Sequence, residues 1–110
     1  MTKIKICGLK LREDVEFISS LDVDYAGMIF VENVRRKISE IEAEEISNNI
    51  HKLNNAPKLV GLFADQPENY VLDIFNRYSL NYVQLCGNEN LEYLSSLGIP
   101  FIKQIKIGTN

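Results

Sequence analysis

KLVGLFADQPENYVLDIFNRYSLNYVQLCG, residues 58–87, holds two apolar runs separated by a segment of a different period. Residues 58–64, KLVGLFA, are a short continuous apolar run, which reads as a strand buried on both faces. Asp65 then precedes Pro67 and Glu68, a pattern that predicts an N-cap at Asp65 with proline close to the first helical position. Val71, Ile74, Phe75 and Tyr78 follow at intervals of three, one and three, the stripe of an amphipathic helix. Residues 82–85 return to strand. A helix between two such strands carries the chain back, so that the second strand starts in the same direction as the first.

The same alternation extends to both ends. Residues 3–7 read as a strand and residues 11–21 as a helix, with Val15, Ile18 and Leu21 inward and Glu13 and Asp14 in the first turn, where the dipole favours anions. YAGMIFV, residues 25–31, is another continuous apolar run. A polar loop at 32–37 leads to Ser39, which with Glu42 forms a capping-box pattern opening a helix with Ile41, Ile46, Ile50 and Leu53 inward. Residues 90–97 predict a fourth helix on Leu91, Leu94 and Leu97, stopped by Gly98, and residues 101–107 a fifth strand.

The order βαβαβαβαβ predicts an α/β fold with a parallel sheet, in one domain over residues 1–110. Periodicity alone leaves open a doubly wound sheet or part of a (β/α)8 barrel. Both place ligands at the carboxyl ends of their strands. Cys7, Val31, Ala64, Cys86 and the segment after Lys106 share that edge.

Composition narrows the function. Apolar residues at 45% and charged residues at 25% are those of an ordinary globular protein, and no run of apolar residues is long enough to span a membrane. The opening MTKIKICGLK lacks the apolar core of a signal peptide, so a cytoplasmic protein with free thiols is expected. A net charge of -3 argues against nucleic acid as a partner.

Cys7 ends the first strand in KIKICGLK, and Cys86 ends the fourth in YVQLCGNE. A cysteine at a strand end is ordinarily a small buried hydrophobe. The functional alternative is a thiolate base or nucleophile, which needs a cation or a helix N-terminus beside it. Gly8 favours function, because glycine lets a ligand approach the backbone. Structural zinc wants four ligands, and the single histidine, His51, belongs near the end of the second helix, so no metal is expected. A dithiol redox pair would need Cys7 and Cys86 close together, and no C-x-x-C spacing is present. Arg35, Arg36 and Lys37 follow the second strand. A charged run is ordinarily solvated, but at a ligand-binding edge guanidinium groups suit a carboxylate or phosphate. No glycine-rich phosphate loop occurs, so no nucleotide cofactor is indicated.

KIKICGLKLREDVEFISSLDVDYAGMIF, then RRKIS, KLVGLFADQ and VQLCGNE, resembles the N-terminal part of phosphoribosylanthranilate isomerase, a (β/α)8-barrel family of tryptophan biosynthesis. Four motifs on successive strands carry the resemblance: KICG, GxxF with a downstream Arg-Lys-Ile-Ser, VGxF, and VQLCG where the family has VQLHG. The resemblance implies the first five strands and four helices of an incomplete TIM barrel. It implies an Amadori rearrangement of N-(5'-phosphoribosyl)anthranilate, a phosphorylated, carboxylate-bearing small molecule, without metal or organic cofactor. In that reaction Cys7 corresponds to the base that takes the sugar's C2' proton. Arg36 corresponds to the contact with the anthranilate carboxylate, and Cys86 stands as a rim neighbour in place of the family's histidine.

The family's general acid is an aspartate ending the sixth strand, and its phosphate site follows the seventh and eighth. A complete barrel needs roughly 200 residues or more. A chain of these 110 residues by itself is therefore expected to be inactive or nearly so, and its unclosed sheet predicts a homo-oligomer. The alternative is a non-catalytic half-barrel module that oligomerises and binds anions at Arg35 and Arg36.

Overall fold

The computed structural model describes residues 3–105. In chain order it comprises β1 (Lys5–Cys7), α1 (Arg12–Ser19), β2 (Tyr25–Ile29), α2 (Glu40–Ile50), β3 (Lys58–Phe63), α3 (Glu68–Arg77), β4 (Tyr82–Leu85), α4 (Leu91–Leu97) and β5 (Phe101–Lys103). All four strand pairings are parallel, and the spatial order is β1-β2-β3-β4-β5. A doubly wound sheet must reverse its strand order at a switch point. This sheet does not reverse, so its winding is that of a barrel.

The helix-facing side of the sheet carries the core. Ala26, Met28 and Phe30 of β2 and its end, Leu59 and Phe63 of β3, and Val83 and Leu85 of β4 pack against Val15, Ile18, Ala43, Ile46, Ile50, Val71 and Ile74 of the helices. Fully burying each large aliphatic contributes about 1.5–3 kcal/mol. Phe30 and Phe63 stack with centroids 5.2 Å apart, and Tyr70 meets Phe63 edge to face at 6.2 Å.

Val60 is equally buried but stands outside that cluster, on the concave face. Tyr25 and Tyr82, on the strands either side of β3, meet edge to face at 6.3 Å there. On the same face the Lys5 ammonium of β1 donates to Gln84 Oε1 of β4. Strands lie about 4.8 Å apart, so in a flat sheet β1 and β4 would be about 14 Å apart, too far for two side chains standing off it. The contact requires a curled sheet.

Local signals explain some helix boundaries. Ser39 Oγ accepts from Glu42 N at 3.2 Å while Glu42 Oε1 accepts from Ser39 N at 2.9 Å, the reciprocal box read from the sequence. Gly98 stops α4 at a left-handed φ of 71°. Four expectations fail. Ile41 is 83% exposed, because five residues at 100° each turn it about 140° from Ile46; Ala43 and Ser47 take the inward places. Leu91, the first residue of α4, is 81% exposed. Leu21 lies beyond the end of α1 and is exposed. Asp65 is not an N-cap: that position is Pro67, and a left-handed φ of 59° turns Asp65 elsewhere. Of the fifth strand expected at 101–107, residues 106 and 107 lie outside the described residues.

Candidate active site

Cys7 is the last residue of β1 and is exposed at the carboxyl edge. Beyond it the chain turns sharply: Gly8 has φ +87°, and the amides of Gly8 and Leu9 both donate to Gly27 O at 3.0 Å. Glycine is required in that left-handed geometry. Gly27 of β2 supplies room on the concave face. A Cβ there would stand 3.3 Å from Cys7 Sγ and 3.1 Å from Leu62 Cδ1. The thiol therefore leans across β2, into the space that Gly27 leaves open.

Arg36 reaches the turn that follows this thiol from the loop after β2. Asn33 adopts a left-handed φ of 61°, Lys37 N donates to Val34 O at 3.2 Å, and Ile38 N donates to Ile29 O at 2.8 Å. These bonds fold the loop back on the end of β2, and buried Ile38 anchors it. The guanidinium then covers Gly8: a Cβ on Gly8 would lie 3.0 Å from Arg36 Cζ and Nε. Lys37 pairs with Glu32 at 3.0 Å, whereas neither Arg35 nor Arg36 pairs with a carboxylate among the described residues. The structure thus seats Arg36 on Gly8, the residue after Cys7, with no carboxylate among the described residues paired to the guanidinium.

Cys86 follows β4 on the same edge, half-buried, beside an open cavity of about 560 Å³ that also meets Asp65, Asn88 and Lys103. Burial pushes its thiol pKa up and the Glu89 carboxylate adds to the rise, while Lys5, Gln84 and Lys103 pull the other way. Asp65 lies over Gly87, where a Cβ would stand 2.4 Å from its Oδ2, and its Oδ1 accepts from Asn88 N at 2.8 Å. Glu89 is the hub of this corner: its Oε2 accepts from Asp65 N at 2.8 Å and its Oε1 pairs with Lys103 at 2.7 Å. Lys103 also donates to Gly87 O at 2.6 Å.

Sequence reading passed over Lys5, Gln84, Glu89 and Lys103. Lys5 had a signal: strand side chains alternate, so it shares a face with Cys7. Glu89 and Lys103 had none, because their pairing depends on β4 and β5 lying side by side. His51 caps α2 well away from this edge, with Nδ1 2.7 Å from Ser47 O and Nε2 3.1 Å from Ser79 O. Among the described residues no three His, Cys, Asp or Glu side chains gather as a metal site. No described helix is long and apolar enough to cross a membrane.

These features define a β/α-barrel protein whose carboxyl edge seats a guanidinium on the glycine that follows a strand-end thiol. Comparison with known proteins gives the particular family. The profile of the N-(5'phosphoribosyl)anthranilate (PRA) isomerase family matches residues 4–110, and the chain belongs to that family. N-(5'-phosphoribosyl)anthranilate isomerase of Saccharomyces cerevisiae is 39% identical over 107 residues, covering 93% of this chain and 48% of that protein. The Clostridium beijerinckii enzyme of the same name is 33% identical, covering 97% of this chain and 45% of its own length.

Among solved structures, the Thermus thermophilus phosphoribosyl anthranilate isomerase superposes with TM-score 0.83 at 29% identity, covering 96% of this chain and 52% of that one. A phosphoribosyl anthranilate isomerase in complex with reduced 1-(o-carboxyphenylamino)-1-deoxyribulose 5-phosphate superposes with TM-score 0.81 at 32% identity, covering 94% and 53%. The chain spans about half the length of each of these relatives.

Proposed function

We propose that residues 1–110 form one domain, the N-terminal part of a barrel that isomerises N-(5'-phosphoribosyl)anthranilate by an Amadori rearrangement in the cytoplasm. The observation that carries this reading is the seat of Arg36 on Gly8, directly after Cys7. The bidentate guanidinium takes the anthranilate carboxylate and so fixes the sugar over the end of β1.

The chemistry then assigns the steps. An acid protonates the furanose oxygen as its bond to C1' breaks, and the nitrogen lone pair forms an iminium at C1'. The Cys7 thiolate takes the proton from C2' and becomes a thiol. The electrons of the C2'–H bond form C1'=C2' and the nitrogen recovers its lone pair. The resulting enolamine becomes the ketone by moving a proton from the 2'-hydroxyl to C1'. Cys7 and Arg36 account for base and orientation. The acid and the phosphate anchor lie outside this arrangement, because Asp65 is committed to Asn88 and the edge of Gly87. The 110-residue chain alone is therefore expected to turn over little or no substrate.

Two measurements test the reading. Reduced 1-(o-carboxyphenylamino)-1-deoxyribulose 5-phosphate, titrated into the chain and followed by amide NMR, is expected to shift residues 7–9 and 36, and Arg36→Met to abolish the response. Absence of any shift at those residues overturns the assignment. Loss of substrate fluorescence at a complete barrel's rate would remove the need for an acid from elsewhere.

A second reading is favoured by a different observation. Among the described residues β1 and β5 each pair on one side only, and Phe101, Ile102 and Ile105 are exposed at the β5 edge. A chain of this length by itself would bury them against a second copy as a non-catalytic, anion-binding module. Sedimentation is expected to show a dimer or larger species. A monomer at micromolar concentration would contradict it.

A further inference from the structure

Lys5 and Cys7 alternate on β1 and so share the concave face, as Gln84 and Cys86 do on β4. The Lys5 ammonium donates to Gln84 Oε1, and Gln84 Nε2 donates to Gln104 Oε1 at 3.1 Å. A polar chain thus runs from β1 across β4 to the end of β5, one layer below the two thiols. Barrel interiors are ordinarily filled by branched aliphatic side chains. The neighbouring Val60, beneath the tyrosine pair, follows that pattern, and Lys5 departs from it. Lys5 is half-buried, and no carboxylate among the described residues neutralises it.

We propose that Lys5 is a positioning residue for the proton transfer: clamped by Gln84, it sets its ammonium beneath Cys7, facing the negative charge that the thiolate carries when it acts as base. The inference rests on the reading of Cys7 as that base. Across the sheet the same ammonium opposes the upward push of burial and Glu89 on the Cys86 thiol. The other charged and titratable groups on this face are Arg36 on the Gly8 side of Cys7, Glu89, Lys103 and Asp65 around Cys86, the phenols of Tyr25 and Tyr82, and Lys3 and Lys58 farther from the rim, with Lys3 over the Tyr25 ring at 6.0 Å. Of the cations below the thiols, Lys5 is the one in the layer next to them, on the face away from arriving substrate.

The test needs no turnover. Alkylation of Cys7 and Cys86 by iodoacetamide, followed across neutral to alkaline pH and resolved by peptide mass, reports each thiolate separately. A cation favours the thiolate, so its removal raises the alkylation midpoint and slows the reaction at a fixed pH. Lys5→Met is expected to slow Cys7 about threefold, the effect of one charge at roughly 7 Å in a water-like dielectric. Lys5→Arg is expected to leave the rate unchanged. An unmoved Cys7 midpoint in folded Lys5→Met overturns the proposal, whatever Cys86 does. If Lys5→Met does not fold by circular dichroism, Lys5→Gln takes its place with the same expectation. A charge effect without any binding of the reduced product analogue would sink the isomerase reading and leave the electrostatic one standing.

Discussion

Arg36 occupies the space that a side chain on Gly8 would need, with Cζ and Nε 3.0 Å from where its Cβ would be. Asp65 stands in the same relation to Gly87, at 2.4 Å. Each Cys-Gly strand end therefore seats a charged side chain from the loop after the neighbouring strand on its glycine: a cation on Gly8 and an anion on Gly87. The two glycines are spacers for opposite charges on one rim.

Gly8→Ala should weaken both fold and site. The left-handed φ of +87° costs an alanine roughly 1–2 kcal/mol, and its methyl displaces Arg36. Urea unfolding is expected to show that loss, and affinity for the reduced product analogue to fall. A variant of unchanged stability and affinity would refute the seat.

Gly87→Ala tests the other corner without touching Cys7. The clash is with a carboxylate that also holds Asn88 N, so the loop must shift. A destabilisation of about 1–3 kcal/mol is expected, as for overpacking elsewhere. Asp65→Ala in the same chain should recover most of it by removing the obstacle, which a double-mutant cycle measures.

The Lys103–Glu89 pair predicts a pH dependence. Burial alone would push the Glu89 carboxyl up, but the Asp65 amide and Lys103 outweigh it, so its pKa lies below the ordinary value. A carboxyl depressed on folding contributes stability that is full above its unfolded pKa of about 4.3 and is lost as pH falls through the folded value. Stability should therefore drop in that acid window. Lys103→Met leaves a carboxylate whose side chain is 1% exposed without its cation, at a cost of about 3 kcal/mol near neutrality. That loss should shrink as Glu89 protonates. Denaturant melts at several pH values check both slopes.

Ile46 and Ile41 separate periodicity from burial. Ile46→Ala should cost about 2–4 kcal/mol as a cavity in the core, and Ile41→Ala less than about 0.5 kcal/mol. Comparable losses at the two positions would contradict the packing of α2.

The fold was legible because its strands announce themselves. YAGMIFV and the LVGLFA that follows Lys58 are apolar without interruption, the pattern of strands covered on both faces, and the helices between them carry clear stripes. What failed was at helix ends. Ile41 and Leu91 sit in first turns, where one apolar residue has no second to fix its phase, and Asp65 looked like a cap only while its backbone was assumed extended. Cys7 and Arg36 were legible as site candidates through the company they keep in the family motifs. The Glu89 hub was not, since a carboxylate in the polar stretch GNEN reads as surface until β5 brings Lys103 beside it.

The contact of Lys5 with Gln84 is a chord drawn across an arc of four strands. An arc with such a chord has its radius set from within. Whatever sequence continues the ring inherits a mouth whose width residues 5 and 84 have already chosen. A single shortened side chain there would change the gauge of the opening, even with every residue on its rim intact.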